Sequence, residues 1–256
     1  MPDSPNGNIT LTYTDSGIAT ISFYHPVQNS LPAALLDALT VKINEAGEHL
    51  QTRVIVLKSE GDRTFCAGAS FDELLEIKDK EAGAKFFSGF ANVINACRKS
   101  PKIIIARIQG KAVGGGVGLA AAADYCVATE AASIKLSELA IGIGPFVISP
   151  AVIRKIGLPA FSQLTIRAVD FQSAQWAKEK GLYNEVYATI GDMDTALNTL
   201  ADKLASYHPE ALSGLKQILW EGTADWDELL TERAAISGEL VLSAFTQQAL
   251  QSFLKK

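Results

Sequence analysis

The sequence predicts an α/β fold built on a largely parallel sheet and followed by a helical C-terminal region. Three short apolar runs, at residues 54–57, 103–108 and 125–128, are typical of strands that are covered on both faces. Helical patterns lie between these runs, and strand signals end near Asp192. Because strands that alternate with helices usually pair in parallel, most of the sheet is expected to be parallel.

An antiparallel hairpin is expected at the N-terminus. Residues 9–13 and 18–23 alternate between apolar and other side chains on either side of a short turn. A loop at residues 25–29 follows, and Asn29 or Ser30 is expected to cap the next helix.

The C-terminal part of the chain is expected to be helical. Leucine and isoleucine recur at helical spacing between residues 197 and 242. We therefore divide the chain into a core at residues 1–195 and a helical region at residues 196–256. The apolar faces of the helical region are expected to cover a neighbouring subunit.

Composition excludes several classes of function. The chain has 256 residues, 48% of them hydrophobic, and a formal net charge of -5, so it offers no general attraction to nucleic acid or to an anionic membrane. Its longest uncharged apolar stretch, residues 139–153, is broken by glycines and prolines and is too short to span a bilayer. Three scattered cysteines and three histidines predict neither a disulfide framework nor a metal site. A soluble, cytoplasmic protein is expected.

A run of glycines could hold an anion. Gly114, Gly115 and Gly116 follow the strand at residues 103–108 and precede a helix of small residues. Glycine lets the backbone approach a ligand closely, and a helix N-terminus offers unpaired N–H groups. A phosphate-binding P-loop is excluded because its motif is absent. The alternative is a tight turn that only allows close helix packing.

A second stretch, at residues 63–71, follows the strand at residues 54–57. Ser70 and Glu73 have the spacing of a reciprocal capping box, which would place Ala69 at the entrance of a helix with its amide pointing outward. Cys66 is interpreted as a buried small side chain rather than a nucleophile, because no histidine is paired with it in the sequence.

Glu138 is the one acidic side chain in a stretch of mostly apolar residues. Removal from water disfavours a carboxylate and raises its pKa toward values useful for proton transfer. The alternative is a solvated carboxylate on the surface, which is the commoner state of an acidic residue.

Taken together, these stretches resemble the crotonase, or enoyl-CoA hydratase/isomerase, family over nearly the whole chain. Residues 25–31 resemble the N-terminal loop of the family, residues 65–69 its FxAGAD segment, and residues 110–119 its glycine-rich turn. The resemblance implies a spiral of ββα units that forms two sheets. It also implies C-terminal helices that make trimers, which often pair as hexamers.

The resemblance assigns roles to three residues. The amides of Ala69 and Gly115 would form an oxyanion hole for an acyl-CoA thioester, and Glu138 would be the catalytic acid–base. Two departures stand out. Gly118 occupies the place of a first catalytic glutamate, and Ser70 replaces an acidic residue after Ala69.

These departures leave the reaction open. A double-bond isomerase needs one carboxylate, which favours isomerisation. The segments GGGVGL at residues 114–119, LSE at residues 136–138 and ISP at residues 148–150 resemble a branch with methylglutaconyl-CoA hydratases. Hydration of a short, branched or unbranched 2-enoyl-CoA is therefore ranked slightly above isomerisation. A non-catalytic acyl-CoA-binding protein is the third alternative.

The resemblance implies no separate cofactor, because coenzyme A arrives as part of the substrate. The residues implied to contact coenzyme A come from several loops and from the C-terminus of a neighbouring subunit. They are Val27, Ala67, Gly68, Gly114, Phe253 and Lys256. Arg63 and Lys58 could pair with its phosphates or could be ordinary surface charges.

Overall fold

The computed structural model describes residues 6–254, with side chains described for residues 6–252. The strands are β1 (Asn8–Tyr13), β2 (Ile18–Tyr24), β3 (Val54–Ser59), β4 (Thr64–Cys66), β5 (Ile103–Ile108), β6 (Lys111–Val113), β7 (Tyr125–Thr129), β8 (Ile134–Lys135) and β9 (Glu185–Tyr187). The helices are α1 (Ala33–Glu48), α2 (Phe71–Glu76), α3 (Lys80–Lys99), α4 (Gly115–Ala122), α5 (Ser149–Ile166), α6 (Ala174–Glu179), α7 (Ile190–Ala205), α8 (Pro209–Leu219), α9 (Trp226–Leu240) and α10 (Ala244–Leu254). A 3-10 turn lies at Glu138–Ile141.

The strands form two sheets. The larger has the order β1-β2-β3-β5-β7-β9, and the smaller has the order β4-β6-β8. Among the paired strands of residues 6–254, the β1–β2 hairpin is antiparallel and the other pairs are parallel. The predicted α/β fold, with its N-terminal hairpin and mainly parallel sheet, is therefore confirmed.

The central strands β3 and β5 are covered on both faces, as their apolar runs predict. Ile55 and Ile104 point into the core formed with α1, α3 and α4, whereas Val56 and Ile105 pack against α7 and α8. Because side chains alternate between the faces of a strand, a strand between two helical layers must be apolar at every position.

The C-terminal helices cover the sheet and extend along α3. The proposed boundary at residue 195 falls inside α7, and the division into two regions stays a prediction. Helices α3 and α9 approach each other closely at Gly83 and Gly238, where a Cβ atom built on Gly83 would lie 2.7 Å from the Gly238 Cα. Glycines at both positions permit this crossing.

The predicted cap of α1 is wrong. The helix begins at Ala33, and the Ala33 amide donates to the Glu73 carboxylate at 2.8 Å. Asn29 instead donates through its side chain to two backbone carbonyls, and the Ser30 hydroxyl bonds the His25 ring. The physical reason is the left-handed backbone at Gln28 and Asn29, with φ of 52° and 54°, which redirects the chain before the helix starts.

Within residues 6–254, no helix combines the length and the apolar character needed to cross a bilayer.

Candidate active site

A largely apolar cavity of about 140 Å³ lies between α2, α3, the start of α4, the start of α5 and α9. Its walls include Phe71, Leu74, Phe86, Phe87, Phe90, Ile141, Ile143, Pro145, Phe146, Val147 and Ile148, together with the backbone of Ala67, Gly68, Ala69, Gly114, Gly115 and Gly144. The polar side chains in its lining are Ser137, Glu138 and Ser237. A charge in this cavity is therefore poorly solvated.

The N-terminus of α4 opens onto the cavity. Gly114 caps the helix with φ 53° and ψ -120°, a conformation suited to glycine, and donates its amide to the Lys135 carbonyl at 2.9 Å. The next amide, of Gly115, donates no hydrogen bond within the described part of the chain. It is one of the unpaired N–H groups that a helix N-terminus leaves available to an anion.

The loop at Ala69 presents a second unpaired amide. Leu31 and Ala69 form a parallel bridge, in which Leu31 donates to the Gly68 carbonyl and Ser70 donates to the Leu31 carbonyl. Because a parallel bridge uses the neighbours of Ala69, the amide of Ala69 itself points away from Leu31. Among residues 6–252 it has no acceptor.

The two loops touch each other. Gly68 has a φ of 92°, and a Cβ atom built on it would lie 3.4 Å from the Gly115 nitrogen and 3.1 Å from the Val113 carbonyl oxygen. Glycine at position 68 therefore permits both the left-handed turn and the close approach. The structure brings Ala69 and Gly115 to the same cavity, as predicted, and Ala67, Gly68 and Gly114 line it too.

Glu138 places its carboxyl group in the same cavity. The residue is only half-buried as a whole, but its Oε2 atom is shielded from solvent and has no hydrogen-bond partner among the described residues. A Cβ atom built on Gly114 would lie 3.0 Å from Oε1, so the carboxyl group lies against the α4 cap. Burial raises the pKa of Glu138 to about 7, against a smaller lowering effect of its own backbone amide.

Ile148 fills the space beside Gly118. A Cβ atom built on Gly118 would lie 2.4 Å from Ile148 Cγ2 and 2.8 Å from Ile148 Cβ. No side chain fits at position 118 unless Ile148 moves. The family resemblance shows that a glutamate is missing at position 118. Nothing in the sequence indicates that Ile148 fills the space next to this position.

The capping box at α2 is only half correct. The Ser70 hydroxyl accepts from the Glu73 amide at 3.4 Å, as predicted. The Glu73 carboxylate, however, accepts from Ala33 and not from Ser70, whose amide is used by Leu31. Cys66 is fully buried and burial raises the pKa of its thiol to about 12, which agrees with a packing role.

Two other residues assigned to coenzyme A, Val27 and Lys58, do not line the cavity. Val27 is an exposed loop residue, and Lys58 pairs with Glu60 at 3.6 Å. Lys256 and the side chain of Phe253 lie outside the described residues. Their roles stay predictions.

Three further residues of the site are missed by the sequence analysis. Phe90 packs beneath Gly115, where a built Cβ atom would lie 2.3 Å from its ring. Ser237 brings a buried hydroxyl from α9 into the cavity lining. Thr246 bonds the turn that carries Glu138. Phe90 belongs to a helical apolar pattern that does not distinguish a cavity wall from the core.

No group of three or more histidine, cysteine or acidic side chains within residues 6–252 is arranged to hold a metal ion.

Comparison with known proteins identifies the family. Residues 13–256 match the family described as enoyl-CoA hydratase/isomerase. The chain belongs to this family. A probable enoyl-CoA hydratase of Bacillus subtilis is 29% identical over 249 residues, which cover 94% of either chain. The short-chain-enoyl-CoA hydratase of Clostridium acetobutylicum is 27% identical over 252 residues, covering 97% of this chain and 95% of that protein.

A solved structure confirms the fold of the enoyl-CoA hydratase/isomerase family. The crystal structure of an enoyl-CoA hydratase from Bacillus halodurans matches with a TM-score of 0.88 and 19% sequence identity. The match covers 95% of this chain and 99% of that one. The predicted crotonase-type fold is thus confirmed.

Proposed function

We propose that this member of the enoyl-CoA hydratase/isomerase family moves the double bond of an aliphatic 3-enoyl-CoA to the 2-position. One observation carries the proposal: among the described residues, Glu138 is the one titratable side chain in the lining of an apolar cavity, and Ile148 fills the space beside Gly118, where the family resemblance would put a second acid. This reverses the order that the sequence motifs favour, in which hydration ranks first.

The proposed reaction needs two proton transfers and one base. The Glu138 carboxylate removes a proton from the α-carbon, and the electron pair moves into the thioester carbonyl to give a dienolate. Glutamic acid at position 138 then returns the proton to the γ-carbon, which leaves the double bond conjugated with the carbonyl. A pKa of about 7 suits both steps, because the group must be a base first and an acid afterwards.

The amides of Ala69 and Gly115 would stabilise the dienolate oxygen. Both lack acceptors within residues 6–252, and both line the cavity with Glu138. Loss of one such donor typically costs about 3 kcal/mol of transition-state stabilisation.

The cavity wall favours an uncharged acyl chain. Its described lining contains no arginine, lysine or histidine. A second carboxylate, such as that of a methylglutaconyl group, would be buried near Glu138 without a positive partner, at a large desolvation cost. We therefore propose a short aliphatic acyl chain carried on coenzyme A, with no separate cofactor.

Hydration of a 2-enoyl-CoA is the second candidate. It is favoured by the relatives in Bacillus subtilis and Clostridium acetobutylicum, which are named as hydratases. With one carboxyl group, Glu138 would take a proton from water while the water oxygen bonds to the β-carbon, and would then deliver that proton to the α-carbon of the resulting enolate. Ser137, which precedes Glu138 in the chain, also lines the cavity.

The two reactions and simple binding can be separated with one substrate panel. The protein is incubated with 3-hexenoyl-CoA and with crotonyl-CoA, and the ultraviolet absorbance of the conjugated enoyl thioester is followed. Isomerisation makes the absorbance appear with the first substrate, whereas hydration makes it disappear with the second. Calorimetric binding of both thioesters without turnover would instead indicate a non-catalytic binding protein, and would contradict the proposal.

A homotrimer or homohexamer is also proposed. Leu215 and Ile218 of α8 and Leu158 of α5 are exposed apolar side chains that an interface could cover. Light scattering coupled to size-exclusion chromatography measures the mass, and a monomer would contradict this proposal.

A further inference from the structure

The turn that carries Glu138 has few attachments to the rest of the fold. It is a 3-10 turn of four residues whose N-cap, Ser137, makes no side-chain capping bond. Its backbone bonds are internal: Ala140 donates to Ser137, and Ile143 donates to the Glu138 carbonyl at 3.1 Å. A single turn held only by its own bonds would not fix a side chain well.

Helix α10 supplies a bond from outside. The Thr246 hydroxyl donates to the Gly142 carbonyl at 3.1 Å, immediately after the turn. Among the described residues, this is the one hydrogen bond that joins residues 138–143 to another helix or strand. Thr246 is fully buried, so the bond is sheltered from water.

The hydroxyl of Thr246 is itself oriented. Ser243 accepts from the Thr246 amide at 3.2 Å and donates its hydroxyl proton to Thr246 Oγ1 at 3.0 Å. The Thr246 proton is therefore directed to Gly142.

The backbone of Gly142 lies directly against α10. Its φ is 84°, and a Cβ atom built on it would lie 2.5 Å from Thr246 Oγ1 and 2.6 Å from the Phe245 ring. Any other residue at position 142 would push α10 away from the turn. Next to this contact, Ile143 packs with Val241, which directly follows α9, and with Leu250 of α10.

We infer that Thr246 is a positioning residue, which holds the Glu138 turn against the cavity through the Gly142 carbonyl. The inference rests on the proposed role of Glu138 as the proton carrier. Misplacement of a reacting group by about 1 Å can cost about a hundredfold in rate. Loss of one hydrogen bond that positions the Glu138 turn can therefore lower the rate.

Other titratable groups of the described cavity would not complicate a measurement of the pKa of Glu138. Among the described residues, the cavity walls from α2, α3, α4, α5 and α9 contain no second titratable side chain, and α10 itself contains none. A change in the pKa of Glu138 would therefore report its hydration or position.

The test compares Thr246→Val with Thr246→Ser. Valine keeps the shape and removes the hydroxyl, so kcat should fall at least about tenfold while KM stays within about twofold. Serine restores the hydrogen bond and should recover most of kcat. Thr231→Val is the matched control, since the Thr231 hydroxyl donates to the Asp227 carbonyl on α9 away from the cavity.

A second readout does not depend on turnover. The Glu138 carboxyl signal is followed by NMR in protein with isotope-labelled glutamate, with assignment from Glu138→Gln. Thr246→Val should lower the pKa of Glu138 toward its ordinary value, because a loosened turn admits water. A folded Thr246→Val protein with wild-type kcat, or with an unchanged Glu138 titration, would overturn the inference. Failure of turnover in the wild-type protein alone would count only against the proposed function.

Discussion

The Ile148 side chain occupies the space that any side chain at position 118 would need. A Cβ atom there would lie 2.4 Å from Ile148 Cγ2, well inside normal contact distance. The glycine that replaces the first glutamate is therefore required by the packing of α4 against the start of α5. A change at position 118 alone would not restore the glutamate. In the described part of the chain, Glu138 is therefore the one carboxyl group in the cavity lining.

Restoring the missing carboxylate should require two changes. Gly118→Glu alone should destabilise the protein by at least about 1–3 kcal/mol, because the new side chain overpacks against Ile148. Gly118→Glu combined with Ile148→Ala should recover part of this loss and increase hydration of crotonyl-CoA. Chemical denaturation and the hydration assay measure the two effects. Equal stability of Gly118→Glu and the wild-type protein would contradict the packing argument.

Glu138 should make stability depend on pH. Its pKa is raised from an ordinary value of 4.5 to about 7, so the folded protein holds this proton more tightly than the unfolded chain. The resulting stabilisation is complete below the unfolded pKa and is lost as the pH rises through about 7. Above that pH, Glu138→Gln should be more stable than wild type by on the order of 3 kcal/mol.

Thermal and chemical unfolding of the wild-type protein and of Glu138→Gln at pH 5 and pH 8 tests this pH dependence. The difference should be small at the lower pH and large at the higher. Glu232→Gln, at an exposed position of α9, is the control and should show no such trend. A stability difference that is the same at both values would contradict a buried, raised Glu138.

The same ionisation should govern the rate of isomerisation. Glu138 must be ionised to remove a proton, so kcat/KM should rise with pH and level off above about 7. Steady-state rates across the pH range measure this, with the protein shown to stay folded throughout. A flat profile through pH 7 would exclude Glu138 as the base in the free enzyme.

Gly115 should not tolerate a methyl group. A Cβ atom there would lie 2.3 Å from the Phe90 ring, so Gly115→Ala must shift the start of α4 and its amide. We expect kcat to fall about tenfold to a thousandfold, in the range of a lost oxyanion donor. Adding Phe90→Leu should recover part of the rate. Gly214→Ala on α8, where a Cβ atom would contact nothing within 4 Å, is the control.

A buried ion pair ties α8 to the sheet. Lys216 and Asp124 are each 2% exposed and lie 2.7 Å apart, and Asp124 also accepts from the Trp220 ring nitrogen and from the Ile104 amide. Lys216→Met should lower the free energy of unfolding by about 3–5 kcal/mol, because it leaves a buried carboxylate unpaired.

Denaturant unfolding measures this loss. Lys80→Met, which breaks an exposed pair with Glu239, should barely change stability. The double variant Asp124→Asn with Lys216→Met should be more stable than Lys216→Met alone. If Lys216→Met costs no more than Lys80→Met, the ion pair does not stabilise the fold as argued.

The fold could largely be predicted from local patterns. The apolar runs of β3 and β5 extend over every position because helices cover both faces of the sheet, and this leaves a direct signal in the sequence. The start of α1 could not be predicted, since its first amide is bonded by Glu73, forty residues away in the chain. Local capping rules name only nearby candidates.

The parts of the candidate site that form a local sequence pattern could be predicted. Gly114 and Gly115 lie next to each other at a helix start, and Glu138 stands among apolar neighbours. Ile148 and Thr246 were not predictable, because each acts by packing against a residue distant in the sequence. A hydrophobic or hydroxyl side chain carries no local sign of such a contact.

The most direct test of the account is the rate of 3-enoyl-CoA isomerisation by Glu138→Gln. The amide keeps the shape of the side chain but cannot carry the proton, so kcat/KM should fall about a hundredfold to ten-thousandfold. Binding of the thioester, measured by calorimetry, should persist, and Glu232→Gln should keep the wild-type rate. Full isomerase activity in Glu138→Gln would contradict the claim that this carboxyl group moves the proton.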